Sequence, residues 1–252
     1  GRPMTSALER VSCVLGLLLA GTAVAGDDQR WTFGIETGPV WQSRNDIQSP
    51  GNAGTRFGLD ETVGTGPYPF LRIEAAYRLS DKHELRGLLA PFEIEESGTL
   101  RQSTLYDGQT FSAGPVGAKY RFNSYRLTWR YTLVDSDRAI LKLGATGKIR
   151  DAEVALRQGG VQARDANVGF VPLVHAYGEY RLGERWRTIV DFDGLVGPGG
   201  RAIDVAFKLS YDVTKDLTLE VGYRVLEGGV KSDDVYNLAL FNYALVGLRF
   251  RH

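Results

Sequence analysis

The chain has 252 residues, which suits one large domain or two small ones, and all-β barrels of this size commonly form a single domain. Its 30 basic and 30 acidic residues give a formal charge of zero, so we expect no nucleic-acid partner. The hydrophobic share of 43% excludes a disordered chain, and the lack of any run of 18 apolar residues excludes a helical membrane protein.

The first 25 residues have the pattern of an export signal. A polar start after Met4 precedes a short apolar stretch at 11–20, and Ala23-Val24-Ala25 places small residues before a cleavage site. We therefore predict a signal peptide with a leader remnant over 1–25, cleaved before Gly26, and one exported domain over 26–252. A buried N-terminal helix is the alternative interpretation of the apolar stretch.

From Trp31 onward, apolar and polar side chains alternate with a period of two, which indicates β-strands with two unlike faces. In the segment 70–80, Leu71 and Ile73 face one side while Arg72 faces the other. Ten such strands are predicted, at 31–42, 69–80, 83–95, 115–134, 138–157, 168–182, 185–197, 201–213, 217–228 and 236–250.

The predicted connections alternate between short turns and longer segments. The short turns lie at 80–83, 135–138, 182–185 and 214–216, and the longer connections at 43–68, 96–114, 158–167, 198–200 and 229–235. Because the strand count is even, both termini and all short turns fall at one end, which is the arrangement of short periplasmic turns opposite longer extracellular loops. The connection at 198–200 fits poorly, since it is as short as a periplasmic turn.

Alternation by itself allows two barrels with opposite faces. In a soluble, lipocalin-like barrel the apolar face lines the cavity, whereas in a membrane barrel it meets lipid. Strands of about twelve residues suit a tilted bilayer crossing, which needs roughly 9–11. Aromatic residues also cluster on the apolar face beside the short turns, where a membrane barrel carries its interfacial girdle. These residues are Trp31, Tyr77, Tyr131, Tyr180, Trp186, Tyr211 and Phe250. We predict an all-β fold, a single antiparallel up-and-down transmembrane barrel of about ten strands.

The export signal, the tyrosine-rich alternating strands and the closing Leu248-Arg249-Phe250 resemble bacterial outer-membrane β-barrel proteins over essentially the whole exported chain. One departure is Arg251-His252, which follows the aromatic residue on which family members usually end. The resemblance implies a porin-like protein of the Gram-negative cell envelope, located in the outer membrane. It implies outer-membrane lipid and lipopolysaccharide as neighbours, and periplasmic chaperones and the barrel-assembly machinery as partners during biogenesis.

If the polar face is the lumen, it carries many charges of both signs. A ten-strand barrel is narrow, so these side chains either pair across the interior and fill it, or line a selective pore or ligand site. The candidates for this polar network are Arg72, Glu74, Arg78, Arg126, Arg130, Lys142, His175, Glu179, Arg187, Asp191, Asp193, Asp204, Lys208, Glu220 and Arg224, together with Arg86 and Arg249.

The first half of this set is mostly basic. Arg126 and Arg130 lie four residues apart on one strand and face the same part of the lumen, with Arg72 and Arg78 on an earlier strand. They could bind a carboxylate or phosphate, or they could be the counterpart of the acidic residues on later strands, among them Asp191.

His175 faces the lumen near Tyr177 and Glu179, and a histidine beside a carboxylate invites a general-base interpretation. The patterns of lipid A deacylases and omptin-type proteases are not met, because Tyr177 stands where a serine is needed and the loops hold no pairs of acidic residues with a histidine. A lumen histidine satisfied by hydrogen bonds is the competing interpretation. With three scattered histidines and one cysteine, Cys13, inside the predicted signal peptide, no metal site, cofactor or catalytic residue is expected.

Three functions are carried forward. The first is a structural or loop-mediated interaction role, without enzyme activity, in which the connections at 43–68 and 96–114 form most of the exposed surface and contact an extracellular partner whose identity the sequence leaves open. The second is a narrow channel or small anionic-solute binding barrel that uses the basic patch. The third is a membrane-embedded enzyme acting on lipid or peptide.

Overall fold

The computed structural model describes residues 29–197 and 200–252. The predicted signal peptide at 1–25 and its cleavage site before Gly26 lie outside the described residues. Within the described part of the chain, no helix is long and apolar enough to cross a membrane.

The described residues form a closed antiparallel barrel of ten strands, because the first strand pairs with both the second and the last around the circumference. The third barrel strand is interrupted, and its two halves both pair with the fourth. The elements are β1 Trp31–Gln48, β2 Phe57–Gly58, a short helix Leu59–Val63, β3 Tyr68–Arg78, β4 His83–Ala90, β5 Glu93–Leu100, β6 Thr104–Tyr106, β7 Gln109–Phe111, β8 Gly114–Asp135, β9 Ala139–Gln158, β10 Val161–Arg181, β11 Trp186–Gly197, β12 Gly200–Asp212, β13 Leu217–Lys231 and β14 Tyr236–Arg251.

The last residue takes part in closing the barrel. The backbone N–H of Trp31 donates to the carbonyl of His252, and the N–H of His252 donates to the carbonyl of Trp31, each at 2.8 Å. Arg251-His252, the departure from the family pattern, therefore extends the seam between β1 and β14 by two pairs, Thr32 with Arg251 and Trp31 with His252. We call this end of the barrel the short-turn end and the opposite end the loop end.

The prediction of a long connection at 158–167 is wrong. β9 and β10 continue to pair up to Gln158 and Val161, and only Gly159-Gly160 connects them, with Gly159 at φ +58°. Outward side chains such as Arg164 are polar in this segment because the hairpin extends into water. The polar sequence therefore led to the prediction of a loop. The wide connections at the loop end are therefore 49–67, which holds the short helix, and 101–113, which holds the β6–β7 hairpin.

The outward face is apolar along the part of the barrel nearest the short turns. Leu127 is 61% exposed and Phe170 is 67% exposed, while inward neighbours such as Arg126 are buried. This exposure pattern is the reverse of a soluble barrel, so the lipocalin-like alternative is excluded. All seven predicted girdle residues lie on this outward face near the short-turn end, and the rings of Trp186 and Tyr211 are 4.8 Å apart.

Towards the loop end the outward face becomes charged. Arg121 on β8 contacts Asp151 at 3.0 Å and Glu153 at 2.9 Å on β9, and Arg164 on β10 contacts Glu153 at 2.6 Å. A ladder of ion pairs cannot face hydrocarbon, so these strands project beyond the apolar belt into water.

The interior of the barrel near the loop end is an apolar core. Side chains from the strands pack there with residues of the two wide connections. Among its members are Val40, Leu59, Phe92, Leu100, Tyr106, Phe111, Tyr120, Leu156, Leu226, Phe241 and Leu245. The expectation that the inward face is polar throughout is therefore wrong for this half of the lumen.

Candidate functional site

The structure brings the predicted polar candidates together inside the barrel. Arg78 differs, because it is exposed at the short-turn mouth, where it lines the opening with Glu74. The rest lie on inward positions of nine strands and form contacts across the lumen. Buried inward polar side chains from all ten strands form what we call the charged layer, which occupies the part of the barrel nearer the short-turn end, below the apolar core. Its members are Glu36, Arg72, Arg86, Arg126, Arg130, Thr146, His175, Asp191, Asp193, Asp204, Lys208, Glu220, Arg224 and Arg249.

One centre of the layer is Glu36 on β1, which the sequence analysis did not single out. Its carboxylate accepts hydrogen bonds from Lys208 and Arg224, each at 2.8 Å. Lys208 also donates to Glu220 at 2.7 Å, and Arg224 donates to Asp204 at 2.6 Å. Three strands, of which β1 is not a neighbour of the other two in the sheet, are thus joined through one carboxylate. Only the alternation of β1 could have indicated that Glu36 faces inward.

Arg126 connects two acidic strands. Its guanidinium donates to Asp193 at 2.8 Å and lies 2.7 Å from Asp204. Arg72 lies 3.3 Å from Asp204 and 3.6 Å from Glu36. These members of the predicted basic patch are therefore neutralised by the acidic strands, which is the second of the two interpretations.

Arg130 lies on the other side of the layer and is also engaged. It donates to Glu84 at 2.9 Å, and the same carboxylate accepts from Lys142 at 2.8 Å. Arg86 donates to Glu74 at 2.7 Å and to Asp191 at 3.0 Å. The four arginines of the predicted patch therefore do not meet as one basic surface.

His175 is fully buried, at 0% exposure, and both ring nitrogens have partners. Nε2 accepts a hydrogen bond from Arg130 at 2.9 Å, so Nδ1 carries the proton and donates to Asp193 at 2.9 Å. The same Asp193 oxygen accepts from Thr146 at 2.7 Å. A histidine held in this way is a structural member of the layer, and it is closed to a substrate arriving from either end.

The remaining candidates surround the mouth at the short-turn end. Tyr177 donates to Glu179 and accepts from Arg249 at 2.9 Å, and Arg187 donates to Glu179 at 3.2 Å. Arg249 also lies 3.0 Å from Glu220. These groups line a water-accessible funnel of about 830 Å³ that ends at the charged layer.

The layer is a strongly coupled unit. A buried ion pair adds little net stability over apolar packing, but removing one partner leaves a buried charge and costs about 3–5 kcal/mol. Because Arg126, Arg224 and Glu36 each contact two or more opposite charges, the loss of one member affects several strands at once.

A second cavity lies between the charged layer and the loop end. Its volume is about 260 Å³, and its walls are mostly apolar, with Tyr120, Phe122 and Leu226 among them. Lys148 on β9 and Arg126 on β8 contribute charged groups to its lining. The sequence analysis did not identify Lys148 as a candidate, because nothing local to it distinguishes it from the paired lysines.

The chain matches no protein-family model and no curated protein. Among solved structures, the outer-membrane protease OmpT from Escherichia coli aligns with a TM-score of 0.57 and 10% identity, over 91% of this chain and 99% of that chain. Ail, the attachment invasion locus protein of Yersinia pestis, aligns with a TM-score of 0.41 and 9% identity, over 88% of this chain and 99% of that chain. Neisserial surface protein A aligns with a TM-score of 0.38 and 14% identity, over 88% of this chain and 97% of that chain. At these identities the comparison concerns the fold alone, and the chain has the fold of bacterial outer-membrane β-barrel proteins.

Proposed function

We propose that this protein is an outer-membrane barrel that is closed to solutes and acts through its loop end, as a structural or interaction protein. Location in the outer membrane is supported by the outward apolar belt, the aromatic residues at its lower edge and the fold shared with OmpT. In that membrane the short-turn end faces the periplasm and the loop end faces outward, with lipid and lipopolysaccharide around the belt. Assembly through chaperones and the barrel-assembly machinery belongs to the same proposal.

The observation that carries the closed state is the charged layer. Every one of the ten barrel strands contributes a side chain to it, since β9 supplies Thr146 and β10 supplies His175. Its arginines and acids are almost fully buried, and the apolar core covers much of the lumen above them. An ion would have to break several charge-assisted contacts and then cross an apolar region, so conduction is strongly disfavoured.

The wide connections support an interaction role because they are held in place. Tyr106 and Phe111 of the β6–β7 hairpin are buried in the apolar core, and the Tyr106 hydroxyl donates to the Val154 carbonyl at 3.1 Å. The two connections also bind each other, since Thr55 N–H donates to the Leu105 carbonyl at 2.8 Å and Asp107 N–H donates to the Ser49 carbonyl at 2.9 Å. Ordered loops lose little conformational entropy on binding, which favours recognition of a partner.

Conductance tests the closed state. We expect the refolded chain in a planar bilayer to show no current steps, and the Arg126→Ala variant to be the first to leak, because it removes contacts to Asp193 and Asp204. Steps in the wild type, with an anion preference lost in Arg126→Ala, would instead support the channel or anionic-solute alternative.

Photocrosslinking on intact cells tests the interaction role. A photoreactive residue at Gln109, which is exposed on β7, should capture a discrete macromolecule, while the same residue at Leu127 in the apolar belt should capture only lipid. No adduct at Gln109 or at other exposed loop positions would contradict the proposal. We propose no catalytic role, because both nitrogens of His175 are engaged within the layer.

A further inference from the structure

Lys148 stands apart from the other buried lysine. Lys208 is held by Glu36 at 2.8 Å and by Glu220 at 2.7 Å. Lys148 is only 4% exposed, yet among the residues that the structure describes no carboxylate lies within 4.0 Å of its ammonium group. Its neighbour is the ring of Phe122, whose centroid is 4.8 Å from Nζ. An ammonium group in such surroundings has given up hydration without gaining an anion.

The ammonium group belongs to the lining of the 260 Å³ cavity. Arg126 lines the same cavity, but its guanidinium is committed to Asp193 and Asp204. Arg150 also lines it and donates to the side chain of Asn167 at 2.6 Å. Lys148 is therefore the buried cationic group of this cavity that has no carboxylate partner among the described residues. The walls offer apolar contact, from Tyr120, Phe122, Leu173, Leu195 and Leu226.

Charge and shape together define the ligand. A carboxylate would supply the anion that Lys148 lacks, and an apolar body would cover the walls. Ligand pockets are commonly 300–1,000 Å³, so a cavity slightly below that range suits a molecule of roughly ten non-hydrogen atoms. From these observations we propose that the cavity binds a small amphipathic carboxylate, with its charged group at Lys148 and its apolar body against the walls.

The site goes beyond the interaction role and does not depend on it. The charged layer closes the cavity on the side of the short-turn end, so the ligand enters from the loop end and leaves by the same route. Arg201 and Glu227 line this cavity and form an ion pair with each other that is partly exposed, which places a polar, hydrated group at its edge. Binding therefore requires no passage across the barrel.

The test uses the refolded full chain from Gly26. The probe is 3-phenylpropanoate, and 3-phenylpropanol is the uncharged analogue of similar size that serves as the control ligand. Equilibrium dialysis at pH 6 against protein-free detergent separates binding from micelle partitioning. We expect saturable binding of the acid, at least tenfold weaker binding of the alcohol, and at least tenfold weaker binding of the acid to Lys148→Met.

The matched control is Lys142→Met, which removes the lumen lysine that contacts Glu84 in the funnel and should leave the affinity unchanged. The heat-dependent gel shift of a folded barrel is checked for every variant. If Lys148→Met does not fold, Leu226→Trp serves as the second test of the site. This substitution keeps the ammonium group but fills the cavity, so it should abolish binding of the acid. The proposal is overturned by no saturable binding to the wild type, by equal affinity for acid and alcohol, or by retained affinity in a folded Lys148→Met or Leu226→Trp.

Discussion

The two halves of the lumen are built from the inward faces of one closed sheet, yet they are stabilised by opposite means. The half near the short turns is filled by ion pairs such as Arg224 with Asp204 and opens into a polar funnel. The half near the loops is filled by apolar side chains such as Phe241 and Leu156, both fully buried. An inward-facing residue of a membrane barrel can thus be ionic or apolar, because it packs against other side chains and not against lipid.

The loops account for the difference. At the loop end the connections at 49–67 and 101–113 add Leu59, Tyr106 and Phe111 to the interior and exclude water from it, so apolar burial becomes favourable. Burial also raises the pKa of the Tyr106 hydroxyl above its ordinary value, which keeps it a neutral hydrogen-bond donor. At the other end the turns are too short to cover the mouth, and charged side chains meet water there.

The largest expected effect is in the apolar half. Phe241→Ala should lower the free energy of unfolding by about 4 kcal/mol, because a fully buried ring is lost and a cavity remains. The matched control is Phe207→Ala on the lipid-facing side, where acyl chains fill the gap and about 2 kcal/mol of transfer free energy is lost. Denaturant unfolding in lipid vesicles measures both, and equal losses would show that the interior is not packed as a core.

A somewhat smaller loss is expected in the ionic half. Asp204→Ala should cost about 3 kcal/mol, because Arg224, Arg126 and Arg72 all contact this carboxylate. Glu227→Ala removes a partly exposed partner of Arg201 and should cost less than about 1 kcal/mol under the same conditions. If the two substitutions cost the same, the layer does not act as a buried coupled network.

The smallest effect concerns the contact between the loops and the barrel. Tyr106→Phe keeps the packed ring but removes the hydrogen bond to the Val154 carbonyl, and should cost about 1 kcal/mol. Because the loss falls on the β6–β7 hairpin, proteolysis of the connection 101–113 should accelerate before global stability changes noticeably. Unchanged proteolysis would mean that the hairpin is held by its apolar contacts alone.

The sequence by itself determined the strands and their faces. Alternation of side chains is a local property, so Leu127 could be placed outside and Arg126 inside without knowing any partner. The aromatic positions beside the short turns followed from the same pattern. Where the outward face meets water instead of lipid, as in the β9–β10 hairpin around Gly159-Gly160, the local pattern no longer separated strand from loop.

Only the tertiary structure decided which inward groups meet. The partners of Arg224 are Glu36 and Asp204, the first of them 188 positions away in sequence, and no local pattern indicates that pairing. Inward apolar residues on β14, such as Phe241, became a core only because two loops cover them. Lys148 and Lys208 have similar strand contexts, and closure of the barrel left one without a carboxylate and gave the other two. Contacts across a lumen depend on strand number, tilt and register together, and these are properties of the closed sheet as a whole.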